Sequence, residues 1–345
     1  MFENMKGKDF YVLGIGEVML RLSPSGKERI SQGEVFEKMA GGSELNVVSG
    51  ISQLGLRTGI ITKLPDNEIG KFIKNKIRYS GISDDYIVYD RDSSHRLGLY
   101  YYEGGAYPRL PVVEYDRANS SFSNFRRSEI DISVYDSTNV FHLSGITLAL
   151  NEKLREEAVE MIKQFKSHGV YISFDVNYRA SLWDEKTAKE CILSVMPYID
   201  ILFVSEETSR RMFARKGSIE DIQKGFSRDF PNLKIIASTR REATSPTRHT
   251  FTSTVYDCEK GESYSEEPYK DIEVIDRIGS GDAYVAGALF GILKYKDAAE
   301  AVRFGNAMSA IKNTIPGDMT VCDYKDVLRV INAHSGAGIK SEMVR

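Results

Sequence analysis

Short apolar runs alternate along this chain with stretches of helical periodicity, and no other feature narrows the possible folds as much. The runs span Tyr11 to Gly16, Gly59 to Lys63, Asn139 to Ser144, Val170 to Asp175, Ile201 to Ser205 and Leu233 to Ser238. Each has the length of a strand, and the chain between them is long enough for crossover helices, so the pattern predicts an α/β fold with a mostly parallel central sheet covered by helices. The helices are legible as well. Val47, Ile51 and Leu54 recur four and three apart after Gly41, Gly42 and Ser43, and Gly55 ends the segment; Leu154 to His168 repeats the scheme with Gly169 as its stop signal. From Asp282 to Leu293 small and aliphatic residues occur nearly all round, which predicts a buried helix.

Two stretches break this rhythm. Glu17 to Met39, with the turn Ser23-Pro24-Ser25-Gly26, and Leu97 to Tyr102 with Val112 to Tyr115 read as strands of a small β flap inserted at about 17–39 and 95–118. The polar, Ser-rich segment Ala118 to Ser128 is expected to be a surface loop, and the end from His334 to Arg345 is expected to fray. With 345 residues the chain has room for two domains, but one large α/β domain over 1–345 accommodates the pattern.

Charge and composition exclude several partners. Lys+Arg of 46 against Asp+Glu of 49 gives a net charge of -3 with both signs dispersed, which offers no basic face for nucleic acid. No apolar run approaches the roughly 18 residues that span a bilayer, so no membrane partner is expected. Met1 to Asp9 carries charge where a secretory signal would be apolar, so the expected location is cytoplasmic. Cys191, Cys258 and Cys322 stand far apart, as in a reducing compartment, and the histidines never fall at zinc-ligand spacing. Any metal is therefore expected to be a hard ion held by oxygen.

The strongest local pattern is Asp276-Arg277-Ile278-Gly279-Ser280-Gly281-Asp282, which runs straight into the buried helix. Glycines before a helix let backbone N–H groups converge and the helix dipole adds positive potential, so this turn suits an anion such as a phosphate. It lacks the Lys and Ser/Thr of a Walker loop. Asp282 sets a carboxylate beside the anion position, where it can take a proton from an attacking hydroxyl. An ordinary glycine turn with an acid at a helix start uses the same residues. Near the front, Gly41-Gly42-Ser43-Glu44-Leu45-Asn46 places two glycines and an amide at a helix mouth, which suits a polyhydroxylated ligand or a plain capped helix. Asp175-Val176-Asn177-Tyr178-Arg179 lies where a strand ends, the edge at which open α/β sheets bind ligands. There Arg179 can grip a carboxylate with paired bonds, while Asp175 and Asn177 can hold hydroxyls or metal-bound water; a solvated turn is the plain alternative.

In this order the three segments resemble the PfkB (ribokinase-like) family of sugar kinases, from about Tyr11 to Val330. The glycine pair followed by Asn46 is similar to the family's N-terminal signature, and Asp276 to Asp282 is similar to its C-terminal signature, with Ser280 in place of Ala. The resemblance implies a ribokinase-like three-layer αβα sandwich with a small inserted β lid. Several features are most similar to 2-keto-3-deoxygluconate kinases: Gly98-Leu99-Tyr100 and Tyr115-Asp116-Arg117 match lid segments that contact the sugar acid, Arg179 matches the arginine on its carboxylate, and Ile311 to Asp318 resembles the same subgroup near the adenine pocket. Fructokinases share the Arg179 pattern and Leu182-Trp183, so Arg179 alone does not decide.

The implied reaction is ATP-dependent phosphorylation of 2-keto-3-deoxygluconate at its terminal O6, with Mg2+ and with a monovalent cation left open. Gly41, Gly42, Asn46, Tyr100, Tyr115, Arg117, Asp175, Asn177, Arg179 and Asp282 are implied at the sugar, and Arg277 with the N–H groups of Gly279, Ser280 and Gly281 at the transferring phosphoryl. Ser205, Thr239, Arg240, Glu242, Gly279, Gly281, Asn306 and Asn313 are implied at the nucleotide. The sequence departs from the pattern twice. Ser205-Glu206-Glu207-Thr208 stands where N-x-x-E orders water around magnesium, so Glu206 or Glu207 is expected to substitute. Ser238 to Ser245 lacks the glycines of the usual nucleotide turn and reads as a variant ATP loop. The flap's exposed edge implies a homodimer through the lid. Another sugar kinase of the family and a non-catalytic sugar-binding protein of kinase ancestry remain open. A nicotinamide-dependent dehydrogenase does not, because Gly14-Ile15-Gly16 is followed by Glu17-Val18-Met19 rather than by the rest of a G-x-G-x-x-G turn.

Overall fold

The computed structural model describes Met5 and residues 7–336; most of the terminal stretch expected to fray lies outside the described residues. The strands are β1 (Phe10–Ile15), β2 (Met19–Pro24), β3 (Phe36–Gly41), β4 (Thr58–Pro65), β5 (Ile87–Asp90), β6 (Leu99–Glu103) and β7 (Val112–Asp116). They continue as β8 (Thr138–Ser144), β9 (Tyr171–Asp175), β10 (Ile201–Phe203), β11 (Ile235–Ser245), β12 (Arg248–Asp257), β13 (Glu262–Ser265) and β14 (Tyr269–Glu273). The helices are α1 (Ser43–Gln53), α2 (Glu68–Tyr79), α3 (Gly145–Ala149), α4 (Glu152–Ser167), α5 (Glu185–Val195), α6 (Glu206–Arg211), α7 (Ile219–Asp229), α8 (Ser280–Tyr295), α9 (Ala298–Asn313) and α10 (Tyr324–His334).

The large sheet is ten-stranded, in the order β13-β12-β11-β10-β9-β8-β1-β4-β5 with β14 paired to β12. From β11 to β5 every neighbour is parallel, and the hairpins beyond β11 are antiparallel. Parallel strands covered on both faces must be apolar throughout. Accordingly β4 and β8 are buried along their whole length. One face packs an apolar cluster drawn from α1, α2, α8, α9 and α10, the other a cluster drawn from α3, α4, α5 and α7. The chain leaves β1 toward β4 on one side and β8 lies on the other, so the strand order reverses at β1. Crevices at such a reversal, beyond the carboxyl ends of the strands, are where open α/β sheets bind ligands.

The flap forms a separate four-stranded sheet in the order β3-β2-β6-β7. Met19, Tyr100 and Tyr102 make its small core, against which Val113 and Ile278 pack. Ile278 belongs to the glycine turn, so the flap rests directly on that turn.

Three expectations need correction. The segment Ala118 to Ser128 is not a surface loop: Ser120, Ser121, Phe122 and Phe125 are buried, and the two rings stack 5.9 Å apart. Its serines serve local backbone, Ser123 Oγ donating to the Ser120 carbonyl (2.6 Å), instead of facing water. The segment Thr239 to Ser245 is not a loop but the outer half of β11, in register with β12. Without glycines to turn the chain, the strand simply continues. His334 is not frayed; it closes α10 and stacks on Tyr269 at 3.7 Å.

Candidate active site

Gly279 caps α8 in the left-handed region (φ 82), and a Cβ there would strike the Asp318 carbonyl, so only glycine fits. The turn before it is held by Asp276, whose Oδ1 accepts from the N–H of Ile278 (3.0 Å) and whose Oδ2 accepts from that of Gly317 (3.0 Å). Arg21 of β2 reaches the same carboxylate (2.7 Å) and also Asp318 (2.8 Å). The Ser280 N–H donates to the Arg277 carbonyl (3.2 Å), whereas among the described residues the N–H groups of Gly279 and Gly281 have no backbone acceptor. Those two point the turn's positive end into a cleft of about 840 Å³.

Asp282 lines this cleft from the first turn of α8. Its Oδ1 accepts from Ser43 Oγ (2.8 Å) and its Oδ2 from Asn46 Nδ2 (2.7 Å), so the start of α1 fixes both oxygens. Asn177 in turn donates to Ser43 (2.9 Å), joining the end of β9 to the same network. Removal from bulk water pushes the Asp282 carboxyl up to about 6, and the bonds from Asn46 and Ser43 oppose that rise. Asp175 is pushed up to about 7, first by desolvation and then by the charge of Asp282. Beneath them Glu44 is wholly buried; its Oε1 accepts from Ser144 Oγ (2.7 Å), the Ser144 N–H (2.9 Å) and Thr147 (2.7 Å), while burial raises its pKa.

The flap side of the cleft is already paired. Tyr100 donates to Asp318, and Arg117 is bound through Nε (2.8 Å) and Nη2 to Glu17. The other Glu17 oxygen, Oε1, is buried without a partner. Tyr115 packs beside Tyr100 with ring centres 5.7 Å apart.

The opposite side is not. Arg179, Arg241 and Arg277 line the cleft, and among the described residues none forms an ion pair. Desolvation and the like charge of Arg277 pull the pKa of Arg241 down. The rim arginines differ: Arg240 pairs with Glu242 (2.6 Å) and Arg210 with Glu206 (2.7 Å). Two like charges held together without an anion are costly unless an anionic ligand joins them.

Most of the residues singled out from sequence meet here. Gly42, Asn46, Tyr100, Tyr115, Arg117, Asp175, Asn177, Arg179, Ser205, Glu206, Glu207, Thr239, Arg240 and the Arg277 to Asp282 turn all line the cleft. Gly41 ends β3 beside Tyr100 and Asp318 without lining it. Glu242 points to its partner Arg240 outside the lining. Asn306 and Asn313 lie elsewhere, buried in α9: Asn306 bridges Ser253 (2.7 Å) and Glu266 (2.8 Å), and Asn313 donates to the Ser309 carbonyl (2.8 Å). Sequence reading missed Arg21, Glu17, Asp318 and Arg241. Asp318 stood at the end of a segment already singled out; Arg21 carried no local signal, since its carboxylate partners are more than 250 positions away.

Comparison with known proteins gives the class: residues 9–323 match the pfkB family carbohydrate kinase, and the chain belongs to that family. It is 33% identical over 324 residues to 2-dehydro-3-deoxygalactonokinase of Haloferax volcanii, covering 94% of this chain and 97% of the relative. It is 27% identical to 5-dehydro-2-deoxygluconokinase of Shouchella clausii, covering 89% and 90%. The crystal structure of 2-dehydro-3-deoxygluconokinase from Thermotoga maritima superposes with a TM-score of 0.87 at 32% identity, covering 93% of this chain and 99% of that one.

Proposed function

We propose that the chain transfers the γ-phosphoryl group of ATP to O6 of 2-keto-3-deoxygluconate (2-dehydro-3-deoxygluconate), giving 2-keto-3-deoxy-6-phosphogluconate and ADP. The observation that carries this reading is the placement of one carboxylate, Asp282, between the glycine turn and the unpaired arginines of the cleft. The O6 hydroxyl attacks phosphorus as the bond to the β-phosphate oxygen breaks, and its proton passes to Asp282. A carboxylate with a pKa near 6 is ionised at neutral pH yet basic enough for that task. The N–H groups of Gly279 and Gly281 form the anion hole for the phosphoryl oxygens; Ser280, whose N–H is engaged, contributes position rather than a free donor.

Arg179 receives the substrate carboxylate, and the names of the relatives, which are kinases of keto-deoxy sugar acids and kindred compounds, support an acid in that place. Glu17 Oε1 and Asp318 offer acceptors to the sugar hydroxyls. Arg241 and Arg277 hold the phosphates, with Ser205, Thr239 and Arg240 along the nucleotide. Mg2+ bound to ATP supplies charge neutralisation between phosphates, and Glu206 and Glu207, each tied to an arginine one turn on, suit contact through its water shell. The flap sheet acts as the lid that excludes water. The lid loop between β6 and β7, with Tyr107 82% and Leu110 72% exposed, is our candidate homodimer face, and we assign the enzyme to the cytoplasm.

The test is ADP release with Mg-ATP over 2-keto-3-deoxygluconate, 2-keto-3-deoxygalactonate, fructose and ribose, with Asp282→Asn as control. Turnover confined to the keto acids and lost in the variant supports the proposal. Turnover only with a neutral sugar discards the substrate, and sugar binding without ADP release discards catalysis.

A further inference from the structure

Lys312 is a buried charge that the proposed chemistry leaves unused. Its side chain is 0% exposed in the last turn of α9, and its ammonium donates to two main-chain carbonyls, Asp276 (3.1 Å) and Ile315 (3.0 Å). Those carbonyls belong to the two segments that build the anion hole. Asp276 opens the turn leading to Gly279 and Gly281, and Ile315 opens the loop whose Asp318 carbonyl backs Gly279. The Asp276 turn is tied to the end of α9 again where the N–H groups of Ile275 (2.8 Å) and Asp276 (3.2 Å) donate to the Asn313 carbonyl.

Lys312 adds a second positive charge to a buried group of two carboxylates and one guanidinium. Asp276 and Asp318 are both buried, and Arg21 spans them. With both carboxylates ionised, one guanidinium leaves a net negative charge in a dry place, which is costly, and burial accordingly raises the pKa of Asp318. The Lys312 ammonium supplies the second positive charge. Burial pulls its pKa down, while Asp276 and Asp318 oppose the pull.

Main-chain carbonyls converging on a buried point, backed by carboxylates, also form the oxygen set that holds an alkali cation or an ammonium ion. Here that point is taken by an ammonium the chain carries itself. We propose that Lys312 is the built-in cation of the anion hole, pinning the Asp276–Gly279 turn to the Ile315–Asp318 loop, so that the enzyme needs no monovalent cation from solution. The position for such an ion is already filled. Lys312 is thus a positioning residue, acting on the glycine N–H groups through the backbone it holds.

The experiment compares wild type with Lys312→Met, which keeps the apolar stem and removes the charge, in tetramethylammonium chloride, KCl and NH4Cl. The turnover arm rests on the kinase reading above; the thermal-unfolding arm needs no substrate and stands without it. Wild-type ADP release and Tm are expected to agree across the three salts within about twofold and about 1 °C. In tetramethylammonium the variant is expected to lose about 100-fold in kcat and on the order of 5 °C in Tm. K+ or NH4+ at about 0.1 M, which can enter the vacated position, is expected to return about tenfold of the rate and most of the Tm. Wild type activated more than about tenfold by K+ overturns the proposal, as does a variant equal to wild type in tetramethylammonium. A variant whose losses neither ion reverses overturns it too, leaving Lys312 a packing residue. Should the variant not fold in any salt, the wild-type comparison alone decides.

Discussion

Arg117 of the lid lines the cleft already paired and Arg21 lies paired behind it, whereas three arginines of the body line the cleft without an ion pair among the described residues. Arg21 is bound to Asp276 and Asp318, and Arg117 to Glu17, before any ligand enters. Among the described residues Arg179, Arg241 and Arg277 line the same cleft without forming an ion pair, although the charges of Asp175 and Asp282 reach Arg179 and that of Glu207 reaches Arg241. A paired guanidinium fixes its neighbours and offers at most a spare N–H; an unpaired one needs an anion. The lid is therefore built to shape the cleft and present hydroxyl partners, and the body to collect negative charge. A sugar acid plus a polyphosphate supplies negative charge at both places where the body lacks it.

The largest effect that can break this comparison lies between the two sides, at Asp282. Asp282→Asn is expected to lower kcat about 1,000-fold with little change in ligand binding. In wild type, kcat/KM should rise with pH through about 6 to a plateau, because the base works only when ionised. The same residue costs stability. Its folded pKa is raised from 3.8 to about 6, so the folded state binds the proton more tightly and stability falls as pH rises through that window. Allowing for water that reaches the carboxylate, Asp282→Asn should gain on the order of 1–2 kcal/mol at pH 7.5 and nothing at pH 3, measured by urea unfolding.

Next come the unpaired arginines. Arg179→Gln is expected to raise KM for the keto acid about 50-fold and leave that for Mg-ATP alone, while Arg241→Gln or Arg277→Gln does the reverse by about 20-fold. Steady-state kinetics with each substrate varied will show whether the two sets separate. The smallest change is expected at the lid: Arg117→Gln should raise KM for the acid less than about tenfold, since Glu17 already holds that guanidinium. Equal losses at Arg117 and Arg179 would erase the distinction between paired and unpaired arginines.

Much of this arrangement is legible in the sequence, for reasons that also mark its limits. The runs read as strands became β1, β4, β8, β9, β10 and β11, because a strand buried on both faces must be apolar along its length. Strands β12 to β14 alternate or stay exposed and carry no such run. Asp282, Asn46 and Asn177 were found because each lies at a helix start or strand end with glycine or amide punctuation. Arg21 and Asp318 were not, because a contact across 297 positions leaves no periodicity behind. Ala118 to Ser128 misled through composition, its serines capping tight turns over buried Phe122 and Phe125. Asn306 and Asn313, expected beside the nucleotide, lie in α9 outside the cleft lining, where Asn306 bridges Ser253 and Glu266 and Asn313 donates to the Ser309 carbonyl while its Oδ1 is buried without a partner.

The central claim is that Arg179 meets a carboxylate brought by the substrate. The direct measurement is kcat/KM for 2-keto-3-deoxygluconate and for fructose in wild type and Arg179→Gln. Wild type is expected to prefer the acid by at least about 100-fold, a preference that shrinks to within about tenfold in the variant because the acid alone loses. A preference for fructose in wild type, or an acid preference that survives the substitution intact, would contradict it.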